Sequence, residues 1–99
     1  MLKINKTQNG KSAVFAIEGR LDTITSPELE SAIKEVLPEL TSLTFDLEKL
    51  DYISSTGLRV LLLAQKAMNA QGTMKVRNVS KPIMEIFEVT GFLDIMTIE

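Results

Sequence analysis

The 99-residue chain has no cysteine and no histidine. Without thiols there are no disulfides and no thiol nucleophiles. Without imidazoles there is no His-based triad or general base, and the usual Cys/His zinc sites go as well. A basic surplus is also missing. Eleven Lys+Arg stand against 13 Asp+Glu, a net charge of −2, and nucleic-acid modules normally carry the opposite balance. No apolar run is longer than Val60 to Ala64, which falls far short of the ~20 residues a membrane helix needs. Met1-Leu2-Lys3-Ile4-Asn5-Lys6 alternates apolar with polar residues and lacks the continuous apolar stretch of a signal peptide. The expectations are a cytoplasmic location, no membrane insertion and no direct nucleic-acid contact. Most enzyme classes are excluded too.

What the chain does have is an ordinary globular composition, 44% apolar and 24% charged, enough for one modest core. No repeat, linker or low-complexity stretch divides it, so a single domain over residues 1–99 is expected. Leu2 and Ile4 alternate with polar residues, and Asn9-Gly10 supplies a turn in which both residues tolerate positive φ. Ala13 to Ile17 follows as the second strand of a hairpin. That strand is apolar on both faces, which predicts a sheet covered on two sides. Gly19-Arg20-Leu21-Asp22 then breaks the pattern. A helix follows, started either by Thr25 with Glu28 as a capping box or by Ser26 with Pro27 at the first helical position. Leu29, Ala32, Ile33, Val36, Leu37 and Leu40 form its apolar stripe.

Leu43 to Leu47 reads as a third strand, and Leu50 to Ile53 as a connection. A second helix spans Gly57 to about Gln71, with Gly72 placed for a left-handed cap. Met74 to Arg77 is a strand. Ser80 and Pro82 open a third helix, which Gly91 closes, and Ile95 to Ile98 ends the chain as a short strand. The fold class is α/β. A largely parallel sheet of four to five strands has a mixed edge from the hairpin, with three to four helices in two or three layers.

In such folds function gathers beyond the carboxyl ends of the strands. Two loops qualify: Gly19 to Ser26 and Glu48 to Gly57. The second holds three consecutive hydroxyls, Ser54-Ser55-Thr56, directly before Gly57-Leu58 at the start of an apolar helix. One of them can cap the helix. A helix N-terminus also favours an anion, so a phosphoryl group on one of the serines would be stabilised there.

These two loops resemble the STAS family, named for sulfate transporters and anti-sigma-factor antagonists. Gly19-Arg20-Leu21-Asp22 is similar to the family's Gly-Glu-Leu-Asp loop. Tyr52-Ile53-Ser54-Ser55-Thr56-Gly57-Leu58-Arg59-Val60-Leu61 is similar to its Asp-Ser-Ser/Thr-Gly-Leu segment, and the likeness runs on to Gly91-Phe92. The resemblance implies an anti-sigma-factor antagonist, a protein-binding switch and not an enzyme. Its partner would be an anti-sigma factor with serine kinase activity, which phosphorylates the loop serine, and a serine phosphatase would act on the product. Counting back from Gly57 makes Ser55 the phosphorylated residue, with Ser54 second. Asp22, Asp51, Ser54, Thr56 and Gly57 would surround it, while Asp22, Thr23, Leu58, Arg59 and Leu62 would meet the partner. Ser54 stands where the family has aspartate, which removes one negative charge beside the acceptor.

The resemblance also allows a cytoplasmic subunit of a membrane lipid or anion transport system, although loss of the serine is common there. Nucleotide binding has only Gly57 and a helix start in its favour. Asp22 and Asp51 as an acid/base pair lack an electrophile, a metal cluster or a nucleophile activator. No cofactor and no metal are expected. Met68, Met74, Met84 and Met96 read as core filler.

Overall fold

The computed structural model describes residues 2–99; Met1, part of the N-terminal reading above, lies outside them. Strands β1 (Leu2–Asn9) and β2 (Ser12–Leu21) form the hairpin. Asn9 pairs with Ser12, so the two-residue turn is Gly10-Lys11, one position later than expected. Only Gly10 takes positive φ, at 63°. Helix α1 (Ser26–Val36) follows. Pro38 lies in a short 3-10 turn, Leu37–Glu39, that ends it, as a residue without an N–H and with a fixed ring must.

Strands β3 (Ser42–Asp46) and β4 (Leu50–Ile53) lead into helix α2 (Ser55–Asn69). Strand β5 (Thr73–Arg77), helix α3 (Lys81–Thr90), a 3-10 turn at Phe92–Asp94 and the two-residue strand β6 (Thr97–Ile98) complete the chain. The α/β architecture and the N-terminal hairpin are as expected. The sheet has six strands instead of four to five, because Leu50 to Ile53 is a strand and not a connection. Its order is β1-β2-β3-β5-β6, antiparallel at β1–β2 and parallel elsewhere, with β4 also paired to β2.

β3 lies along Ser12 to Ala16 of β2, and β4 continues along Gly19 to Leu21 of the same edge. Gly19 and its neighbours therefore do not end β2. Gly19 bends it at φ 102°, the register slips there, and the strand runs on to Leu21. Such a slip re-aims the residues around it.

The core lies on one face of the sheet. Ala13, Phe15, Ile17 and Leu21 of β2 are buried with Leu43, Phe45 and Val76 of the parallel strands, and Phe15 stacks on Phe45 at 5.9 Å. Leu29, Ile33, Val36, Leu37 and Leu40 cover them from α1 and its 3-10 turn. On the opposite face Val14, Ala16 and Thr44 are only partly buried and Lys75 is exposed. The expectation of a sheet covered on two sides fails here: Val14 and Ala16 are small enough to sit half-exposed between polar neighbours.

Gly72 does not cap α2 in a left-handed conformation. A Cβ at this position would collide with the backbone of Thr41, so its role is close approach. Gly91 does adopt the left-handed conformation, φ 81°, and ends α3.

Candidate functional site

The carboxyl end of β2 and the start of α2 are joined by backbone. Ser54 donates its N–H to the Leu21 carbonyl at 2.8 Å, and Leu58 donates to the Ser54 carbonyl at 2.9 Å to open the helix. The Ser54 side chain accepts from the Gly57 N–H at 3.2 Å. Ser54 is therefore the cap. Its extended backbone, φ −91° and ψ 173°, is the usual N-cap conformation.

Gly57 is buried, and a Cβ there would stand 2.8 Å from Leu21 Cγ and 3.0 Å from Ile53 Cγ1. Only glycine lets the first turn of α2 settle this close to the strand ends.

With Ser54 committed, the other two hydroxyls separate. Thr56 lies 3.5 Å from the Thr23 hydroxyl, which ties the helix start to the neighbouring loop. Ser55 is the first residue of α2; it is exposed, and its hydroxyl has no hydrogen-bond partner among the described residues. The N–H groups of Ser55 and Thr56 precede the first intrahelical bond and carry the positive end of the helix dipole.

The neighbouring loop is held by Asp22. Its Oδ1 accepts from the Ile24 N–H and the Thr25 N–H, each at 3.0 Å, and from the Thr25 hydroxyl at 3.1 Å. The single proton of that hydroxyl is shared between Asp22 Oδ1 and the nearer Arg20 carbonyl at 2.8 Å, and its oxygen accepts from the Asp22 N–H at 2.9 Å. Thr25 is the positional N-cap of α1, but its side chain is spent on this loop. No capping box forms, and Pro27 is the second helical residue. The Thr25 N–H is the main cause holding the Asp22 carboxyl below its ordinary range; burial works against it, and the Thr25 hydroxyl, Ile24 N–H and Arg20 add to the lowering. Arg20 Nε stands 3.9 Å from Asp22 Oδ2, and its guanidinium lies over the Tyr52 ring at 4.3 Å.

Asp22, Ser54, Ser55, Thr56, Gly57 and Thr23 thus meet at one place. Asp51 does not join them. It is the residue of β4 passed over where the register slips, since Gly19 pairs with Leu50 and Arg20 with Tyr52. It lines a depression with Leu2, Lys3 and Lys49 instead. Leu58 is 6% exposed and belongs to the core, so it offers no surface to a partner. Arg59 is exposed and Leu62 half-buried, and both line a shallow depression on α2 with Leu63 and Lys66.

Ile24 was not anticipated from sequence. It is 87% exposed, on the loop that Asp22 braces. Its signal was an apolar residue off the stripe of α1, between two threonines. Arg20 and Tyr52 were missed as a pair because only the β2–β4 register brings them together. The described residues hold no group of three or more Asp or Glu side chains able to bind a metal.

A STAS domain family model matches residues 3–99. The chain belongs to the STAS domain family. This STAS domain is 33% identical over 97 residues to the anti-sigma-B factor antagonist of Staphylococcus aureus (strain NCTC 8325 / PS 47), covering 96% of this chain and 90% of that protein. Its fold matches an anti-sigma factor antagonist from Mycobacterium paratuberculosis with a TM-score of 0.90 at 20% identity, over 99% of this chain and 85% of the other. It also matches the phosphorylated form of the Bacillus cell fate determinant SpoIIAA, with a TM-score of 0.78 at 18% identity over 98% and 91%. The family read from the two loop motifs and the α/β fold read from the order of strands and helices are borne out. No helix among the described residues is long and apolar enough to cross a membrane.

Proposed function

We propose that this STAS domain is an anti-sigma-factor antagonist that acts in the cytoplasm as a binding module, not as an enzyme. Its partner is an anti-sigma factor with serine kinase activity. The unmodified domain docks through Asp22, Thr23, Arg59 and Leu62, with Ile24 added from the structure, and the partner releases its sigma factor. Phosphorylation of Ser55 ends the docking, and a serine phosphatase restores it.

One observation carries this reading: Ser54 alone caps α2, which leaves the Ser55 hydroxyl exposed and unengaged at the first helical position. A cap needs one hydroxyl, and the second has no structural task. The antagonist relative in Staphylococcus aureus and the existence of SpoIIAA in a phosphorylated form support the same reading.

The chemistry asks little of this chain. The bond between the γ-phosphorus of ATP and its bridging oxygen breaks, and a bond forms from that phosphorus to Ser55 Oγ. The hydroxyl proton passes to a base of the kinase, and ADP leaves. The product adds about −1.5 to −2 charges at a helix N-terminus that tolerates them. In a docked, desolvated interface the same charge would repel any carboxylate that the partner sets against this face. Like charges across an interface cost several kcal/mol, against about 8 kcal/mol for a micromolar complex.

The test is capture by wild-type and Ser55→Asp baits, followed by ATP and phosphosite mapping on wild type, Ser54→Ala and Ser55→Ala. Wild type should retain a small ATP-binding serine kinase that the aspartate bait loses, with label on all but Ser55→Ala. Label persisting in Ser55→Ala would refute the assignment. Retention of the same membrane-transporter subunits by both baits would refute the switch.

A further inference from the structure

Ser55 and Arg59 stand four residues apart on α2, and both are exposed. Residues at this spacing share a helix face, and an acidic group N-terminal to a basic one is the favourable order. Arg59 is uncommitted: no ion pair or hydrogen bond engages it among the described residues, and α2 contains no Asp or Glu that would compete for it. The other cation of the helix, Lys66, is seven residues further on. Arg20, the cation near the end of β2, is held between Asp22 and the Tyr52 ring.

Repulsion alone has less to act on here than the sequence suggested. Asp51 lines a different depression, and Asp22 already accepts two backbone N–H bonds and a share of the Thr25 hydroxyl proton and faces Arg20. Arg59, by contrast, is one of the two cations of the apolar depression it lines with Leu62, Leu63 and Lys66.

We propose that phosphorylated Ser55 captures Arg59 in an intrahelical ion pair, so that modification withdraws a cation from the docking face as well as adding an anion. This rests on the reading of Ser55 as the phosphoacceptor. The phosphate is the N-terminal member of an i,i+4 pair and lies at the positive end of the dipole, so both local fields favour the contact. With Arg59 folded back, the depression keeps its leucines and loses the charge at its Ser55 end. A partner matched to that face by carboxylates and apolar side chains then meets an anion where it had met a cation.

The experiment needs no kinase. Phosphoserine is installed at position 55 by genetic encoding, and its second ionisation, ordinarily about pH 6, is followed by phosphorus NMR. A cation held beside the phosphate favours the dianion and lowers the midpoint. The native background should titrate several tenths of a pH unit below Arg59→Gln. Arg59→Lys should recover part of that shift, and Lys66→Gln should titrate as native. Equal midpoints in the native and Arg59→Gln backgrounds would overturn the proposal, as would a shift that vanishes only with Arg20→Gln. All the substituted residues are exposed, and amide spectra check that each variant is folded. A pair seen without any kinase labelling of Ser55 would sink the proposed function and leave the pair standing. Labelling without an Arg59 effect would do the reverse.

Discussion

Replacing Ser54 with alanine removes the one side-chain acceptor at the start of α2 and strands the Gly57 N–H that it served at 3.2 Å. Loss of an N-cap costs about 1 kcal/mol within a range of roughly 0.5–2. Here the upper half of that range applies, because Gly57 is buried against Leu21 and Ile53 and water reaches its N–H poorly. For a domain of this size each 1 kcal/mol shifts the melting temperature by roughly 4–8 °C, so Ser54→Ala should melt about 5–16 °C below wild type. Two companions define the cause. Ser54→Asp keeps an acceptor and adds a charge at the positive end of the dipole, worth about 0.3–1 kcal/mol; it should equal or exceed wild type at neutral pH. Ser55→Ala removes a hydroxyl without partners and should stay within about 0.5 kcal/mol of wild type. Thermal melts by circular dichroism, with urea titrations at 25 °C, read all three. If Ser55→Ala costs as much as Ser54→Ala, or Ser54→Ala costs nothing, the division of labour between the serines is wrong.

Gly72→Ala should be severe, since its Cβ would meet the Thr41 backbone, which cannot step aside as a side chain can; a loss above about 3 kcal/mol in urea is expected, and near-wild-type stability would contradict the packing. Leu58→Ala should cost about 2–5 kcal/mol as a buried leucine, whereas Arg59→Ala should leave the melting temperature almost unchanged; similar losses for both would refute the assignment of Leu58 to the core. At Asp46 burial works to raise the carboxyl, but the Glu48 N–H, the Asn78 amide and Arg77 outweigh it, and the Asp22 carboxyl is lowered as well. Both groups therefore bind fewer protons folded than unfolded. Their stabilisation is fully present above the unfolded value near 3.8 and is lost as pH falls through the lower folded values. Asp22→Asn and Asp46→Asn should each flatten the acid limb of stability against pH, and an unchanged limb in both would contradict the lowering.

The hairpin, the three helices and the parallel order were legible because each rests on a periodic run closed by a turn residue, as in the stripe of α1 or Gly91 after α3. β4 was not legible. Its four residues carry apolar side chains only at Leu50 and Ile53, and the slip at Asp51 spoils the alternation that identifies a strand. The open face of the sheet was misread for a different reason: hydropathy treats Val14 and Ala16 as core, while burial depends on whether a helix is available to cover them. At the site, the loop pairing and the choice of Ser55 came through the family likeness of Gly19 to Asp22 and Tyr52 to Leu61. Which hydroxyl caps α2 was beyond pattern alone, because a shift of one residue in the helix start exchanges the roles of Ser54 and Ser55. The fates of Asp51 and Leu58 also hang on single positions, one passed over in the strand register and one turned inward on the helix.

The same packing bears on how modification would act. The Leu21 carbonyl holds Ser54, the Leu21 side chain and Ile53 leave no room above Gly57, and Asp22 braces its loop through Thr25. The backbone around Ser55 is thus tied to the core and to satisfied hydrogen bonds. What remains free are side chains at the surface: the hydroxyl of Ser55, the guanidinium of Arg59 and the exposed Ile24. In the proposed switch a phosphate on Ser55 would act through the charges and side chains of this surface, with the backbone contacts around it kept. Ile24 would anchor the partner in that switch, while Ser55 and Arg59 would decide whether the charges around it attract or repel.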